Sequence, residues 1–494
     1  MFSIGITKIR HYGLRRTRPV VLDQKKEYWQ FVLGGLAVIV LARVADYSIQ
    51  LIERANKHVE EGSDDMSTGN PKQSNDVPYG QEDSESYPGA TSSTPNRPNS
   101  PIKQALGVDM GTSFSRVSYR NNEVIEVVEN REGKRATATA LHSSDSDSEV
   151  YIGQLAIKNR WMKPAQTAYG AQLFVGLKGS DPAYQLLADT LPRPPAASDT
   201  TEAIFTVGSR YLTASACCAV IARELIHTAS GKTHLISRGS QTIPSALTVP
   251  VFFSSQQTQA MLTACRGAGL NCVTTVQDPV CAVLGAMNTK TIKPATGPVL
   301  VVDFGGRVVQ TSVVECKASS GELSEVPVVA SHHTLFDLGG EYIDEALVNH
   351  IASNFARENG IDLLADPMAV LRLYEAAESA KFDLSGGFTT KIELPYITAD
   401  SSGAKHLILR LSRSQFEAII ASRIDPLCVH VKRLRDTATS SLTAVLLVGG
   451  GARMPIVKNS VLRALNLESS VPIVTGLAPE ELVCIGAAAY TKFL

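Results

Sequence analysis

Two stretches of the chain set an acid and bare backbone at the tip of a predicted β-hairpin. In ALGVDMGTSFSRVSY (Ala105 to Tyr119) and VLVVDFGGRVVQTSVV (Val299 to Val314), an apolar run leads to an aspartate, one apolar residue, a glycine and a short turn. A second β-branched run then follows in each. Glycines let backbone approach phosphate oxygens, and successive N–H groups form an anion-binding nest. Gly111, Thr112 and Ser113 have this character in the first turn, and Gly305 and Gly306 in the second. Asp109 and Asp303 are placed to hold Mg2+ through its waters, as hard-cation phosphate sites commonly do. One Asp-x-Gly turn is usually only a hairpin. Two matching ones, with a third strand AVLLVGGGARMPIV (Ala444 to Val457) running into Gly449, Gly450 and Gly451, predict a duplicated, two-lobed α/β fold with a nucleotide between the lobes.

Such a fold needs a large body, and 494 residues suffice for two or three ordinary domains or one large two-lobed one. The chain is 44% hydrophobic and 19% charged, an ordinary globular mix. Its net charge of −1 gives no electrostatic reason to expect a nucleic-acid partner. The eight cysteines show no C-x-x-C pair and no metal-ligand spacing, so they are expected to be buried free thiols.

The body is expected to begin near Gln104. Before it, residues 1–28 form a basic leader in which Lys8, Arg10, Arg15, Arg16, Arg18, Lys25 and Lys26 face only Asp23 and Glu27. Residues 29–52 are predicted to form a transmembrane helix. The apolar core Phe31 to Ala42 alone has the length of a signal h-region, but apolar character resumes to Ile52 around Arg43 and Asp46, which lie at i,i+3 and can pair. Phe31 to Ile52 then suits a tilted membrane span. The acidic flank Glu60 to Asp65 places the N-terminus on the cytoplasmic or matrix-like side. An Arg-rich leader, acid-free up to Asp23, suits a mitochondrial presequence and an inner-membrane location. An endoplasmic-reticulum signal anchor with a lumenal domain fits the same residues, although the chain has no N-x-S/T sequon. Residues 53–103 are rich in Ser, Pro, Asn, Gly and acids and read as a disordered linker. Lobe I is expected over 104–296, lobe II over 297–470, and 471–494 as a segment returning to lobe I.

From Gln104 to Leu494 the chain resembles the nucleotide-binding domain of the 70-kDa heat-shock chaperones, in the actin-like ATPase fold with its duplicated ribonuclease-H-like domains. The resemblance rests on GVDMGTSFS, SALTVPVFFSSQQTQA, VVDFGG, DLGGEYIDEALVNH, YEAAESAKFDLS, LLVGGGARMPIV and APEELVCIGAAA, met in family order. It is nearest to membrane-associated members that carry this domain alone, since no hydrophobic linker or peptide-binding domain follows Leu494. The resemblance implies ATP or ADP as ligand, with Mg2+. It implies phosphate contacts from Gly111, Thr112, Ser113, Gly305 and Gly306, with Gly339 and Gly340 nearby. It also implies ribose contacts from Glu378 and Lys381, adenine contacts from Ser385 and Arg453, and a wall from Gly449 to Gly451. Phe382 stands where the family stacks an arginine on adenine, and its ring can still stack. Read without the family, Glu378 and Lys381 are simply a solvated i,i+3 pair.

Departures crowd where hydrolysis takes place. By the same resemblance, Gln172 occupies the position of the catalytic lysine and cannot supply its charge to a transferring phosphoryl group. Asp278 replaces the catalytic glutamate and is one methylene shorter, which leaves Asp303 and Asp278 as weak catalytic candidates. Arg307, Val308 and Gln310 replace a glycine, a threonine and an acid, while Pro250 of the interlobe relay persists beside Thr258 in place of arginine. The leading expectation is a membrane-tethered protein that binds nucleotide, hydrolyses it slowly or not at all, and acts through protein partners at the membrane. Nucleotide-exchange and co-chaperone factors are among the partners the resemblance implies, with Thr258 and the missing linker arguing against co-chaperone stimulation. Two alternatives stay open: a slow true ATPase in which Arg307 replaces the missing lysine charge, and a nucleotide-free structural subunit.

Overall fold

The computed structural model describes residues 102–144, 149–191, 193–232, 243–438, 440–466 and 471–494. The expected leader, the transmembrane helix and all of the linker but residues 102–103 lie outside the described residues. Among the described residues no helix is long and apolar enough to cross a membrane.

Two five-strand paths repeat one connectivity. In the first, β1 (Gln104–Met110), β2 (Phe114–Asn121), β3 (Val124–Val127), β4 (Ser245–Val249) and β5 (Cys272–Gln277) lie in the order β5-β4-β1-β2-β3. In the second, β6 (Gly297–Phe304), β7 (Val309–Cys316), β8 (Val328–Leu335), β9 (Ala444–Val448) and β10 (Ile473–Thr475) lie in the order β8-β7-β6-β9-β10. Each path is an antiparallel meander of three strands, joined on the other edge of its first strand by two parallel ones. Central strands of such sheets are covered on both faces and read as continuous apolar runs, as PVLVVDF in β6 and AVLLV in β9 do. The two hairpins of the sequence are β1–β2 and β6–β7, with Asp109 and Asp303 at corresponding places near the ends of their first strands.

Helices cover the sheets, and their starts are written locally. Besides a short helix at Pro182–Ala188, they are α1 (Gln154–Met162), α2 (Ala214–Lys232), α3 (Ser255–Gly267), α4 (Asp278–Asn288), α5 (Gly340–Asn359), α6 (Pro367–Gly386), α7 (Arg413–Thr437), α8 (Pro455–Leu465) and α9 (Leu482–Tyr490). Capping boxes open α3 (Ser254 with Gln257) and α7 (Ser412 with Gln415). In α6, Asp366 caps the first turn and Pro367 sits where its missing N–H costs nothing. The hairpin Thr389–Asp400 with Gly403–Ser412 follows α6.

One core joins β6, β7 and β9 to α5–α8, and another joins β1, β2 and β4 to α2 and α3. A third, built on α4 and α9, lies against both β4 and β6. There α4 and α9 cross backbone to backbone: a Cβ on Gly486 would lie 1.7 Å from the Cys281 carbonyl oxygen, and one on Gly285 would lie 1.9 Å from that of Leu482. Gly486→Ala is therefore expected to lower the thermal midpoint, since overpacking costs at least about 1–3 kcal/mol; an unchanged melting curve would contradict the tight crossing. Seven of the eight cysteines are buried and Cys428 is half-buried, all as free thiols. Burial pushes Cys217 up to about 12 and Cys272 up to about 11, so these thiols are protonated and inert at neutral pH.

Candidate functional site

The tips of both hairpins open into one cleft of about 420 Å³. Gly111, Thr112 and Ser113 enter it from β1–β2, and Gly305 and Gly306 from β6–β7. The first turn of α5 brings Gly340, α6 brings Glu378, Lys381, Phe382 and Ser385, and the turn after β9 brings Gly449, Gly450, Gly451 and Arg453. Asp109, Asp278 and Asp303 lie at its base. Of the residues singled out from sequence for binding, Gly339 alone does not line the cleft. It is set behind Gly306, whose carbonyl oxygen a Cβ on Gly339 would meet at 2.4 Å. Glycine is required for three of these approaches. Gly449 holds φ 80° against the Phe304 carbonyl. A Cβ on Gly451 would strike the Phe304 ring at 2.0 Å, and one on Gly306 would fall 1.7 Å from Ser113 Oγ. The two phosphate-type loops thus touch each other through Ser113 and Gly306.

The acids at the base share a buried, mutually repelling site. Burial pushes Asp303 up to about 7, with Asp109 adding to the shift and Arg116 opposing it. Asp109 is raised by burial against the opposing effects of Arg116 and a hydrogen bond donated by Thr248 Oγ1 at 3.2 Å. Asp278 is raised well above the usual carboxylate range by burial, then by Asp109 and Asp303. Its Oδ2 accepts from Gln310 Nε2 at 2.9 Å, and its Oδ1 is buried with no partner among the described residues. Three converging carboxyls with an orphaned oxygen fit the hydration shell of a divalent cation. Among the described residues no group of three acids, histidines or cysteines is arranged to ligate a metal directly, so waters would carry the contact.

A carboxyl whose folded pKa lies above its unfolded one contributes stability that is complete below the unfolded value and lost as pH rises through the folded value. Without nucleotide or metal, stability from Asp303 is expected to fall between about pH 4 and pH 7, by at most about 1.4 kcal/mol per pH unit. Asp303→Asn should flatten that part of the pH–stability curve, as read by thermal unfolding across the range. Parallel curves for both proteins would overturn the assignment.

The sequence model of the Hsp70 protein family matches residues 105–494. The chain belongs to the Hsp70 family. Its folded body is therefore a chaperone-related nucleotide-binding domain, of a family whose domains bind ATP or ADP with Mg2+.

Set against the Hsp70 resemblance, the charge in this cleft has been rearranged. Gln172 is buried on its floor, with neither amide atom partnered among the described residues. Val308 lines the same space and joins the apolar core around β1 and β4. Gln310 bridges Asp278 to the Pro250–Val251 backbone, its Oε1 accepting from the Val251 N–H at 2.8 Å. A neutral amide thus ties the relay proline's neighbour to the acid. Thr258, half-buried in α3, offers no charge to that relay.

Arg307 corrects an expectation. Its guanidinium does not reach towards the phosphate loops. It donates to Glu341 Oε2 at 3.2 Å, to the Thr190 carbonyl and to Tyr342 Oη at 3.2 Å, and lies over the Tyr342 ring at 5.0 Å. It lines a separate cavity of about 800 Å³ behind α5. An Arg307 that substitutes for the missing lysine charge does not agree with this geometry. Arg307→Ala is expected to leave nucleotide affinity within about twofold while lowering the thermal midpoint, because a buried, partnered guanidinium is lost. A large affinity loss in calorimetry would restore the compensating role.

The nucleoside side holds its residues in internal pairs. Lys381 Nζ donates to Asp344 Oδ2 at 2.6 Å and to the Gly340 carbonyl at 3.0 Å, so Lys381 does not pair with Glu378, which is exposed at the cleft wall. Burial pushes Asp344 up to about 6, with Lys381 opposing. Ser385 Oγ donates to the Lys381 carbonyl at 2.8 Å, as helical serines commonly do, leaving its oxygen free to accept. Phe382 is 58% exposed, its ring presented at the cleft. Arg453 grips Glu480 bidentately, at 3.0 and 2.8 Å. Asp344, Glu341, Glu480 and Arg160 had not been singled out from sequence. Glu341 carried the one usable signal, directly following the paired glycines of DLGGE. Its carboxylate accepts from Ser113 Oγ at 2.6 Å, Arg160 Nη1 at 3.0 Å and Arg307. Arg160 in turn lies 4.5 Å from the centres of both the Trp161 and Tyr169 rings.

Proposed function

We propose that this Hsp70-family chain is a membrane-anchored, chaperone-related protein whose nucleotide-binding domain holds ATP or ADP with little or no hydrolysis and works through contacts with other proteins. One observation carries the reading: both phosphate loops and the nucleoside wall meet in one cleft, and the side chain at the lysine position of that cleft is the neutral Gln172. Gly111, Thr112, Ser113, Gly305 and Gly306 contact phosphate; Glu378, Lys381, Ser385 and Arg453 surround the nucleoside, and Phe382 stacks on the base. Asp109 and Asp303 would hold Mg2+ through its waters, and the cation would supply charge neutralisation to the phosphates. Asp278 is a poor general base here. Burial and its acidic neighbours raise its pKa well above the usual carboxylate range in the unliganded site, and Gln310 holds one of its oxygens.

Calorimetry of ATP and ADP binding alongside single-turnover hydrolysis on the purified full chain tests the reading. Binding with turnover slowed by about 10²–10³ relative to an intact site supports it; hydrolysis at rates normal for the family overturns it. A second reading, the nucleotide-free structural subunit, is favoured by the direct contact of Ser113 with Gly306 and Glu341 across the cleft. No binding at millimolar nucleotide would select it.

The anchor is residues Phe31 to Ile52, in the mitochondrial inner membrane, and the body acts on protein partners there. The support is the basic leader, the apolar run and the acidic flank. Protease protection of the C-terminal body in fractionated mitochondria and microsomes decides the organelle and the side.

A further inference from the structure

Five cationic side chains line the nucleotide cleft among the described residues: Arg116, Lys158, Arg160, Lys381 and Arg453. Four are already committed to carboxylates. Lys158 meets Glu375 at 2.9 Å, Arg160 meets Glu341 at 3.0 Å, Lys381 meets Asp344 at 2.6 Å and Arg453 meets Glu480 at 2.8 Å. Arg116 differs. Among the described residues it makes no hydrogen bond or ion pair, and its guanidinium carbon lies 5.8 Å from the centre of the Phe114 ring.

The position of Arg116 is fixed by the same hairpin that makes the first phosphate loop. It stands on β2 three residues past Ser113, in register opposite Asp109. Cross-strand partners present their side chains on one face of a sheet, so Arg116 shares the cleft face with Asp109. Its charge acts on Asp109 and Asp303 at the base and on Glu480 and Glu481 at the rim. It lines the same cleft as both phosphate loops and the glycine-triplet wall.

We propose that Arg116 is the phosphate-binding cation of this cleft, the residue that makes it select nucleoside di- and triphosphates over nucleosides. The proposal rests on the nucleotide-binding reading above. A polyphosphate entering beside Asp109, Asp278 and Asp303 meets like charge, and Gln172 cannot offset it. A guanidinium is always charged and offers a planar fork of donors that matches two phosphate oxygens at once. The competing role is that of a fixed counter-ion to the surrounding acids, which would affect the unliganded fold and not ligand choice.

The test compares ADP with adenosine, by calorimetry or by competition against a fluorescent nucleotide, on the full chain with Mg2+ present. Wild type, Arg116→Gln and Arg116→Lys are measured together with unliganded thermal midpoints. Arg116→Gln is expected to weaken ADP binding about 30-fold, the loss of one charge-assisted hydrogen bond, and to leave adenosine binding within about twofold. Arg116→Lys should recover part of the ADP affinity. Unchanged ADP binding, equal weakening of both ligands, or a fallen midpoint with an unchanged ADP-to-adenosine ratio each overturns the proposal. A wild-type chain that binds neither ligand removes the nucleotide-binding reading itself, a result separable from all of these.

Discussion

Glu341→Ala is expected to cost about 3–5 kcal/mol of stability, the penalty of leaving buried charge without its partner. The Glu341 carboxylate accepts from Arg160 of α1, from Arg307 beyond the second phosphate loop and from Ser113 of the first. The side chains of Arg160 and Arg307 are 17% and 8% exposed. With Glu341 gone, the two guanidiniums remain close, repelling and only slightly exposed to water. Arg307 already feels Arg160 as a like charge. The cost should therefore show as a lower thermal midpoint and as loss of the bond that holds Ser113 against Gly306. A double variant, Glu341→Ala with Arg307→Met, separates lost packing from stranded charge. If stranded charge dominates, the double variant is more stable than Glu341→Ala alone. Additive losses would show that the triad contributes through packing.

Gln172→Lys is expected to raise single-turnover hydrolysis at least about tenfold, with the ~10²–10³ worth of one preorganised charge as the ceiling. Gln172 is buried, its amide atoms lack partners among the described residues, and it lines the same cleft as Asp109, Asp278 and Asp303. A lysine there would bring a positive charge into a cleft that the three raised carboxyls also line. The ceiling is not expected to be reached. Catalytic groups that act as a unit are strongly non-additive, and Val308, Gln310 and the shorter Asp278 remain. Adding Asp278→Glu should increase the rate further. A rate for Gln172→Lys equal to wild type, with ATP binding intact, would place the barrier at Asp278 and Val308 instead.

The features legible in the sequence were those with local causes. β-Branched runs around Asp-x-Gly turns predict hairpins because strand propensity and turn chemistry are both short-range. Both hairpins are present, and they head the two matching sheet paths. The glycines of both loops and of the triplet line the cleft for the same reason: each is required by its own backbone's close approach. Side-chain direction was not legible. Arg307 follows two phosphate-loop glycines, and a local reading aims it at the phosphates. Its partners lie 34 and 35 residues away in α5 and 117 residues back at Thr190, and only the packed fold brings them near. Lys381 is similar, turning from Glu378 on its own helix to Asp344 on α5. Arg160 and Glu480 carried no pattern of their own, because each matters only through a partner on another element.

The ring pair at the cleft mouth offers an optical consequence. The Trp161 ring, on α1, lies flat on Tyr374 of α6, with centroids 3.8 Å apart and planes 14° from parallel, and Arg160 sits beside it. The chain has two tryptophans, and the other, Trp29, precedes the folded body. Intrinsic emission from residues 104–494 therefore arises from one indole, shielded by a neighbour on the opposite wall. Any separation of α1 from α6 would wet that indole and shift its emission to longer wavelength. Residues 104–494 thus carry a label-free gauge of cleft opening, which stopped-flow mixing with nucleotide can read in real time.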